Sequence, residues 1–410
     1  MPGTLRPAAP DTGAGRRRWI FGIILAGGIA GGLFAPPMLA TGQAHSPTGS
    51  AMQRVPTTYS AIPGWNDDRQ SAALAVFRRS CPRAGRARSK AAQALRAVCA
   101  AADRLAPTIG DQQAREFFEA HFQPMAIIAR GHANGLFTGY YEPELDGALV
   151  PSKKFPIALR APPKNLVSLA KIRDRQGLPA TLTHALRVNG GLQAAPTRAQ
   201  IEAGALGHAA APVAWVGNAV DAFFLHIQGS GRLRLADGRH MRVTYAGKNG
   251  RPYTSIGKVL VETGQLAKAR VSMQTIRAWM AANPDKARAL MNKNRSYIFF
   301  NLVANTTPGL GPPGQMGVPL TPGRSLAVDL AYHTPGLPIW LETTVPGVPG
   351  VPGENGGAYQ PFRRLMVAQD TGSAIRGAVR GDIFFGTGKA AGQRAGRMQA
   401  QGRIIVLQPR

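Results

Sequence analysis

A mainly β fold with helices at its N-terminal end is what this sequence predicts, and three observations carry the prediction. The 410 residues include 49 Gly and 33 Pro, more than a helix-dominated protein tolerates, which favours short strands joined by tight turns. Helical spacing of apolar residues opens the folded part of the chain, between Asp67 and Pro124. From Gly135 the apolar runs become short and are separated by Gly, Pro, Asn and Asp, a barrel's worth of strands. The length suffices for two domains with cores of their own.

Taken in order, residues 1–44 read as a signal peptide. Arg16, Arg17 and Arg18 precede the apolar run Trp19 to Phe34, and Gly42 and Ala44 satisfy the small-x-small rule for cleavage after Ala44. The chain is therefore expected to be exported. The alternative is an uncleaved membrane anchor, which Gly27, Gly28, Gly31, Gly32, Pro36 and Pro37 weaken. No Cys lies near the run, so no lipid-modified N-terminal Cys is expected. Residues 45–65 are polar and punctuated by Pro and Gly, as in a linker with little order.

Leu74, Phe77 and Cys81 recur at helical spacing, as do Leu95, Val98 and Cys99, and a third helix is expected to start with Asp111 as its N-cap and bury Phe117, Phe118 and Phe122. The runs LFTGYYEPEL, FPIALRAPP, VAWVGNAVDAFFLHIQGSG and RLRLADGRHMRVTYAGKNG then read as strands, with Asp237-Gly238 as a hairpin turn. Helices follow from Ser255 to Gly264, from Ser272, and from Asn283-Pro284 through Leu290. Five further strand runs close the chain: SLAVDLAYH, PIWLETTV, FRRLMVAQD, RGDIFFGTG and GRIIVLQ.

The net charge is +28, from 49 Lys and Arg against 21 Asp and Glu, so the surface attracts anionic partners. The cations are scattered along the chain, without the basic arm or interleaved stacking aromatics of nucleic-acid proteins, so nucleic acid is not expected as a partner. Weak association with anionic membrane or wall polymers fits the charge better. Cys81 and Cys99 are the only cysteines and form no C-x-x-C pair, which excludes a four-ligand zinc site built on them and suggests one disulfide in an exported chain. Two buried free thiols are the alternative.

Carboxylates are scarce, so those inside strand runs carry information: each must face solvent, find a partner or do chemistry. Asp329 in LAVD, Asp370 in VAQD and Asp382 in RGDIF stand beside Gly-rich turns. Each alone reads equally well as a turn aspartate; three in one barrel-like segment point to a cleft. Glu142 and Glu144 flank Pro143 and could supply a second carboxylate of a glycosidase pair, although the proline suggests an exposed turn or edge. Around Gln228, Gly229, Ser230 and Gly231, and around Tyr245, Lys248, Asn249 and Tyr253, rings and polar donors alternate with glycines, a chemistry that suits sugars. His226 reads as a core histidine. GTGKAAG, residues 386–392, lacks the spacing of a phosphate loop.

The segments GLFTGYYEPEL, FFLHIQGSGRLRL, YAGKNGRPYTSIGKVL, SMQTIRAWM, NRSYIFF, GRSLAVD and DTGSAIRGAVRGDIFFGTGKAAG together resemble the membrane-bound lytic murein transglycosylase A family, from about Arg115 to Val406. The resemblance implies a double-psi β-barrel catalytic domain built from residues 66–141 and 306–410, with a second β domain inserted at 142–305 and a glycan groove between them. It implies the aspartate at Asp382 as the catalytic acid, with Asp370 and Asp329 lining or supporting the site. It also implies peptidoglycan glycan strands as substrate, cleavage between N-acetylmuramic acid and N-acetylglucosamine with 1,6-anhydro products, no cofactor and no metal, a periplasmic location, and other cell-wall enzymes as candidate partners. Two departures stand out: the twelve-residue spacing from Asp370 to Asp382 is one longer than in some members, and the lipid-anchoring Cys of the best-known members is missing. A non-catalytic peptidoglycan-binding barrel is the rival reading.

Overall fold

The computed structural model describes residues 52–84, 90–304, 309–351 and 356–410. The expected signal peptide lies outside the described residues. Among them, no helix is long and apolar enough to cross a membrane.

The polar stretch read as a linker is structured from Met52 onward. β1 (Met52–Pro56) pairs antiparallel with a later strand, and Trp65 is buried at 3% exposure beneath Trp340, ring centroids 5.3 Å apart. Local composition missed this because the segment gains its order from long-range pairing and one aromatic anchor. The three helices follow as read: α1 (Gln70–Ser80), α2 (Lys90–Asp103) and α3 (Asp111–His121). Asp111 is not the cap of α3 but its first residue, and its carboxylate instead accepts from the Ser71 backbone (2.9 Å) and hydroxyl (2.5 Å). Cys81 and Cys99 are joined, Cα atoms 5.5 Å apart, stapling the end of α1 to α2. Thiol titration of the unreduced, denatured protein should therefore find no free thiol, and reduction should cost about 3 kcal/mol for a loop of this length; two free thiols would refute the staple.

Next come β2 (Phe122–Ala129) and β3 (Gly135–Glu142), after which the chain leaves for an excursion. That excursion contains β4 (Glu144–Ala148), β5 (Ile157–Arg160), β6 (Leu166–Ser168), β7 (His184–Val188), β8 (Gly191–Gln193), α4 (Arg198–Glu202), β9 (Pro212–Val216), α5 (Ala219–Gln228), β10 (Gly231–Arg234) and β11 (His240–Lys248). It continues through α6 (Ile256–Glu262), α7 (Met273–Ala282), α8 (Pro284–Lys293) and β12 (Ile298–Ala304). The chain then returns with β13 (Ser325–Val328), β14 (Pro338–Pro346), β15 (Tyr359–Asp370), β16 (Arg380–Thr387), α9 (Gly388–Arg397) and β17 (Gln399–Pro409).

The returning strands and the first three form one eight-stranded sheet in the order β1-β2-β17-β14-β15-β13-β16-β3, and β17 also pairs with β3 through Gln399–Gly402. The excursion contributes a six-stranded sheet, β12-β11-β10-β4-β9-β5, and a three-stranded one, β6-β7-β8. The fold-class expectation is corrected accordingly. The molecule is a mixed α/β structure with two β regions, its strands ordered in sheets of eight, six and three rather than as the double-psi β-barrel implied by resemblance. Its helices are not concentrated at the N-terminal end, since α4 to α9 all follow residue 197.

Three of those helices, the five-residue α4 and the longer α5 and α9, were misread or missed. FFLHIQ, read as strand, is the end of α5: Asn218 caps it by accepting from the Asp221 N–H at 2.8 Å, and Gly229 (φ 80°) ends it in the left-handed region. A helix buried on several sides shows no clean period, so its apolar run mimics a strand. α9 was missed because its small residues suggest a loop. They are small for packing: a Cβ on Gly392 would lie 2.7 Å from the Tyr141 ring, and one on Gly396 2.6 Å from the Gln274 amide.

Candidate active site

β13 is four residues long, wholly buried, and lies between β15 and β16. Ala327 pairs with Asp370 on one side, at a register shift, and with Asp382 on the other. Paired residues on adjacent strands project from the same face, so the two aspartates share a face, their backbones about 10 Å apart across two strand spacings. One strand further, Thr138 of β3 is in register with Asp382.

Asp382 is half-buried, its side chain 20% exposed. Burial pushes its carboxyl above the usual carboxylate range, and Arg380, whose Nη1 stands 3.4 Å from Oδ1, opposes the shift. Arg380 Nη2 donates to Thr138 Oγ1 at 2.7 Å. Asp370 is also pushed up, first by burial; its Oδ2 accepts from the Tyr140 hydroxyl (2.9 Å) and its Oδ1 from the Gln315 N–H (2.9 Å). Tyr140 is in turn raised well above its usual value by burial and by the two aspartates. Asp329 is different. It is 4% exposed and accepts from the N–H groups of Ala331 (3.1 Å) and Gly377 (2.8 Å), with Arg376 3.6 Å away, so it fastens the loop between Asp370 and Asp382.

The residues of the excursion expected to suit a sugar divide. Gln228 Oε1 accepts from the Tyr141 N–H at 3.1 Å, tying the end of α5 to β3. Asn249 is wholly buried, donating to the carbonyls of Pro196 and Arg295 and accepting from the Tyr297 N–H, which is the work of a structural amide. Gly231 is needed for close approach, since a Cβ there would lie 2.3 Å from Leu225. Gly229 is the helix stop described above, and Ser230 between them is half-buried. Tyr245 is 51% exposed. Lys248 Nζ donates to Ser373 Oγ at 3.1 Å, bridging the excursion to the loop held by Asp329. Tyr253 lies in the field of Asp382 and is hydrogen-bonded to Ser255; burial raises its hydroxyl. Tyr253, Ser255, Gln228 and Gly139 line a cavity of about 180 Å³ between the excursion and β3. A larger one of about 430 Å³, lined by Arg363, Arg364, Phe362 and Phe385 among others, includes none of the three aspartates.

Glu142 is not on an exposed turn. It is wholly buried, gripped by Arg242 (Nε to Oε1 2.5 Å, Nη2 to Oε2 3.1 Å), and accepts from Thr387 Oγ1 at 2.6 Å. Glu144 is the exposed one. His226 is a core histidine: its Nδ1 accepts from the Ile298 N–H at 3.1 Å, and burial drives its pKa well down. Sequence reasoning missed Arg380, Thr138 and Tyr140. The two-residue step from Arg380 to Asp382 in a strand, which places both on one face, was the available signal for the first.

Residues 136–301 match the MltA specific insert domain and residues 324–408 the 3D domain. Over 284 residues the chain is 35% identical to membrane-bound lytic murein transglycosylase A of Escherichia coli strain K12, covering 68% of this chain and 67% of that protein. This chain belongs to the membrane-bound lytic murein transglycosylase A family. The crystal structure of the transglycosylase from Agrobacterium tumefaciens superposes with a TM-score of 0.76 at 33% identity, covering 87% of this chain and 98% of that one. The family's Escherichia coli structure with bound chitohexaose gives 0.58 at 28% identity, over 87% and 91%.

Proposed function

We infer that this protein is a lytic transglycosylase of peptidoglycan, an exported enzyme of the periplasm that acts on glycan strands. It cleaves the β-1,4 bond between N-acetylmuramic acid and N-acetylglucosamine and closes the muramic acid C6 hydroxyl onto C1, forming the 1,6-anhydro product without water. The reading of the site as single-acid chemistry rests on one observation: Asp382 is the one carboxyl of the three on this face or its loop that accepts no hydrogen bond from a backbone N–H or a tyrosine among the described residues. A carboxyl whose pKa is raised by burial can give its proton to the leaving oxygen and then, as carboxylate, take the C6 hydroxyl proton. Asp370, with both oxygens already accepting, supports its neighbour instead of activating water as an inverting hydrolase would require. Tyr245, Lys248, Tyr253 and Ser230 then face the glycan, while Gln228, Gly229, Gly231 and Asn249 shape the wall that carries them. The signal peptide is cleaved after Ala44, and the basic surface holds the mature protein near anionic wall polymers or membrane.

Mass spectrometry of the products from purified sacculi tests the reaction: anhydro ends are expected, and reducing ends would refute it. Asp370→Asn should lower turnover only about tenfold, well below the loss of a general acid, because an amide still accepts from Tyr140 or Gln315. A loss equal to that of Asp382→Asn would make Asp370 a full partner in the chemistry.

A further inference from the structure

We infer that Arg380 is a positioning residue that lets one carboxyl act as both acid and base, because its guanidinium is tied so that only one edge nitrogen reaches Asp382. The inference rests on the reading of Asp382 given above. Two buried arginine–carboxylate pairs in the molecule show the forked arrangement. Arg324 grips Asp68 as a fork, Nη1 to Oδ2 2.6 Å and Nη2 to Oδ1 2.7 Å, and Arg242 grips Glu142 through two nitrogens. Arg380 reaches Asp382 through Nη1 alone, at 3.4 Å. Its other contacts are spent elsewhere: Nη2 donates to Thr138 Oγ1 at 2.7 Å, and Nη1 also donates to the carbonyls of Leu136 and Gly381.

The difference matters for the chemistry. In the first step the proton passes from Asp382 to the glycosidic oxygen, which keeps the electron pair of the breaking C1–O bond. In the second, the carboxylate takes the C6 hydroxyl proton as O6 closes on C1, so nothing is consumed. A forked arginine would hold the carboxyl ionised and remove the first proton. No cation at all would leave the carboxylate formed in between half-buried and uncompensated. The single contact lies between these limits. The groups facing Asp382 from the packed elements are Arg380 on its own strand, Thr138 and Tyr140 on β3, Asp370 on β15 and Tyr253 from the excursion. Among these, only Arg380 carries positive charge.

The test is the pH profile of kcat/KM on purified sacculi for Arg380→Gln, Arg380→Lys and Thr138→Val, each checked by its melting curve. With the cation gone, Arg380→Gln should keep the acid protonated to higher pH, moving the alkaline limb up by about one unit and lowering kcat about 10–100-fold. Arg380→Lys should restore part of both. Thr138→Val removes the tether without touching any charge, freeing Nη2 to complete the fork, and should move the same limb down by about one unit. A merely structural role would not produce opposite shifts. Limbs that stay at the wild-type position in folded variants, or move in the same direction, overturn the inference. If wild-type products carry reducing ends, the transglycosylase reading falls, while the opposed shifts still report on Arg380.

Discussion

Asp382→Asn should abolish release of 1,6-anhydro-muropeptides, with turnover reduced at least about 1,000-fold, while binding to sacculi persists. The amide keeps the shape and a hydrogen-bonding capacity but can neither donate an acidic proton nor accept one. The same substitution should stabilise the fold. Burial raises the folded-state pKa of Asp382, so the folded state loses stability as pH rises from the unfolded-state pKa to the folded-state one, and the penalty is absent only below the unfolded-state value. At neutral pH the neutral amide removes the penalty, and the melting temperature should rise, the usual trade between activity and stability at a site of this kind. Retention of a tenth of wild-type turnover would refute the single-acid assignment; a melting temperature that falls would refute the electrostatic account of the site.

Glu142→Gln is expected to have the largest effect on stability. Glu142 sits at the end of β3, where the chain leaves for the excursion, and holds Arg242 of β11, with Arg232 of β10 3.6 Å away, together with Thr387 of β16. Replacing a pair of buried charges by apolar residues can be neutral, but removing one partner strands the other, at about 3–5 kcal/mol. Arg242 would lose its charge partner and one of its two bonds to residue 142, keeping the amide oxygen and the Leu310 carbonyl at 3.0 Å. Urea unfolding should show a midpoint shifted down by that amount with the slope unchanged. A loss below about 1 kcal/mol, the scale of an exposed pair, would mean that the site is wetter than the structure indicates.

The legibility of this protein in its sequence follows the range of the interactions involved. Helices α1 to α3 were legible because an amphipathic period is a local signal, and so were the Ser255 and Ser272 caps, whose hydroxyls accept from Lys258 and Thr275 three residues on. The strand runs carrying Asp329, Asp370 and Asp382 were legible for the same reason, and the family followed from motifs in order along the chain. What the three aspartates do was not legible in the residues themselves; only the family resemblance implied Asp382 as the acid. In sequence they are equivalent, each an Asp at the end of an apolar run beside a Gly-rich turn; the structure separates them by what meets the carboxylate. Asp329 receives two backbone N–H groups, Asp370 a tyrosine and a backbone N–H, and Asp382 one arginine nitrogen at the edge of its reach.

The same holds for Glu142, for Asn249 and for the order of the segment from Met52 to Trp65: each depends on partners about 50 to more than 200 residues away in the chain. Residue type and spacing by themselves determined which groups were available for chemistry and which family built them. Only the tertiary structure decided which carboxyl is left without a full set of donors, because a pKa is set by the dielectric and the charges surrounding a group in space, and those neighbours come from strands that meet only when the sheet is formed.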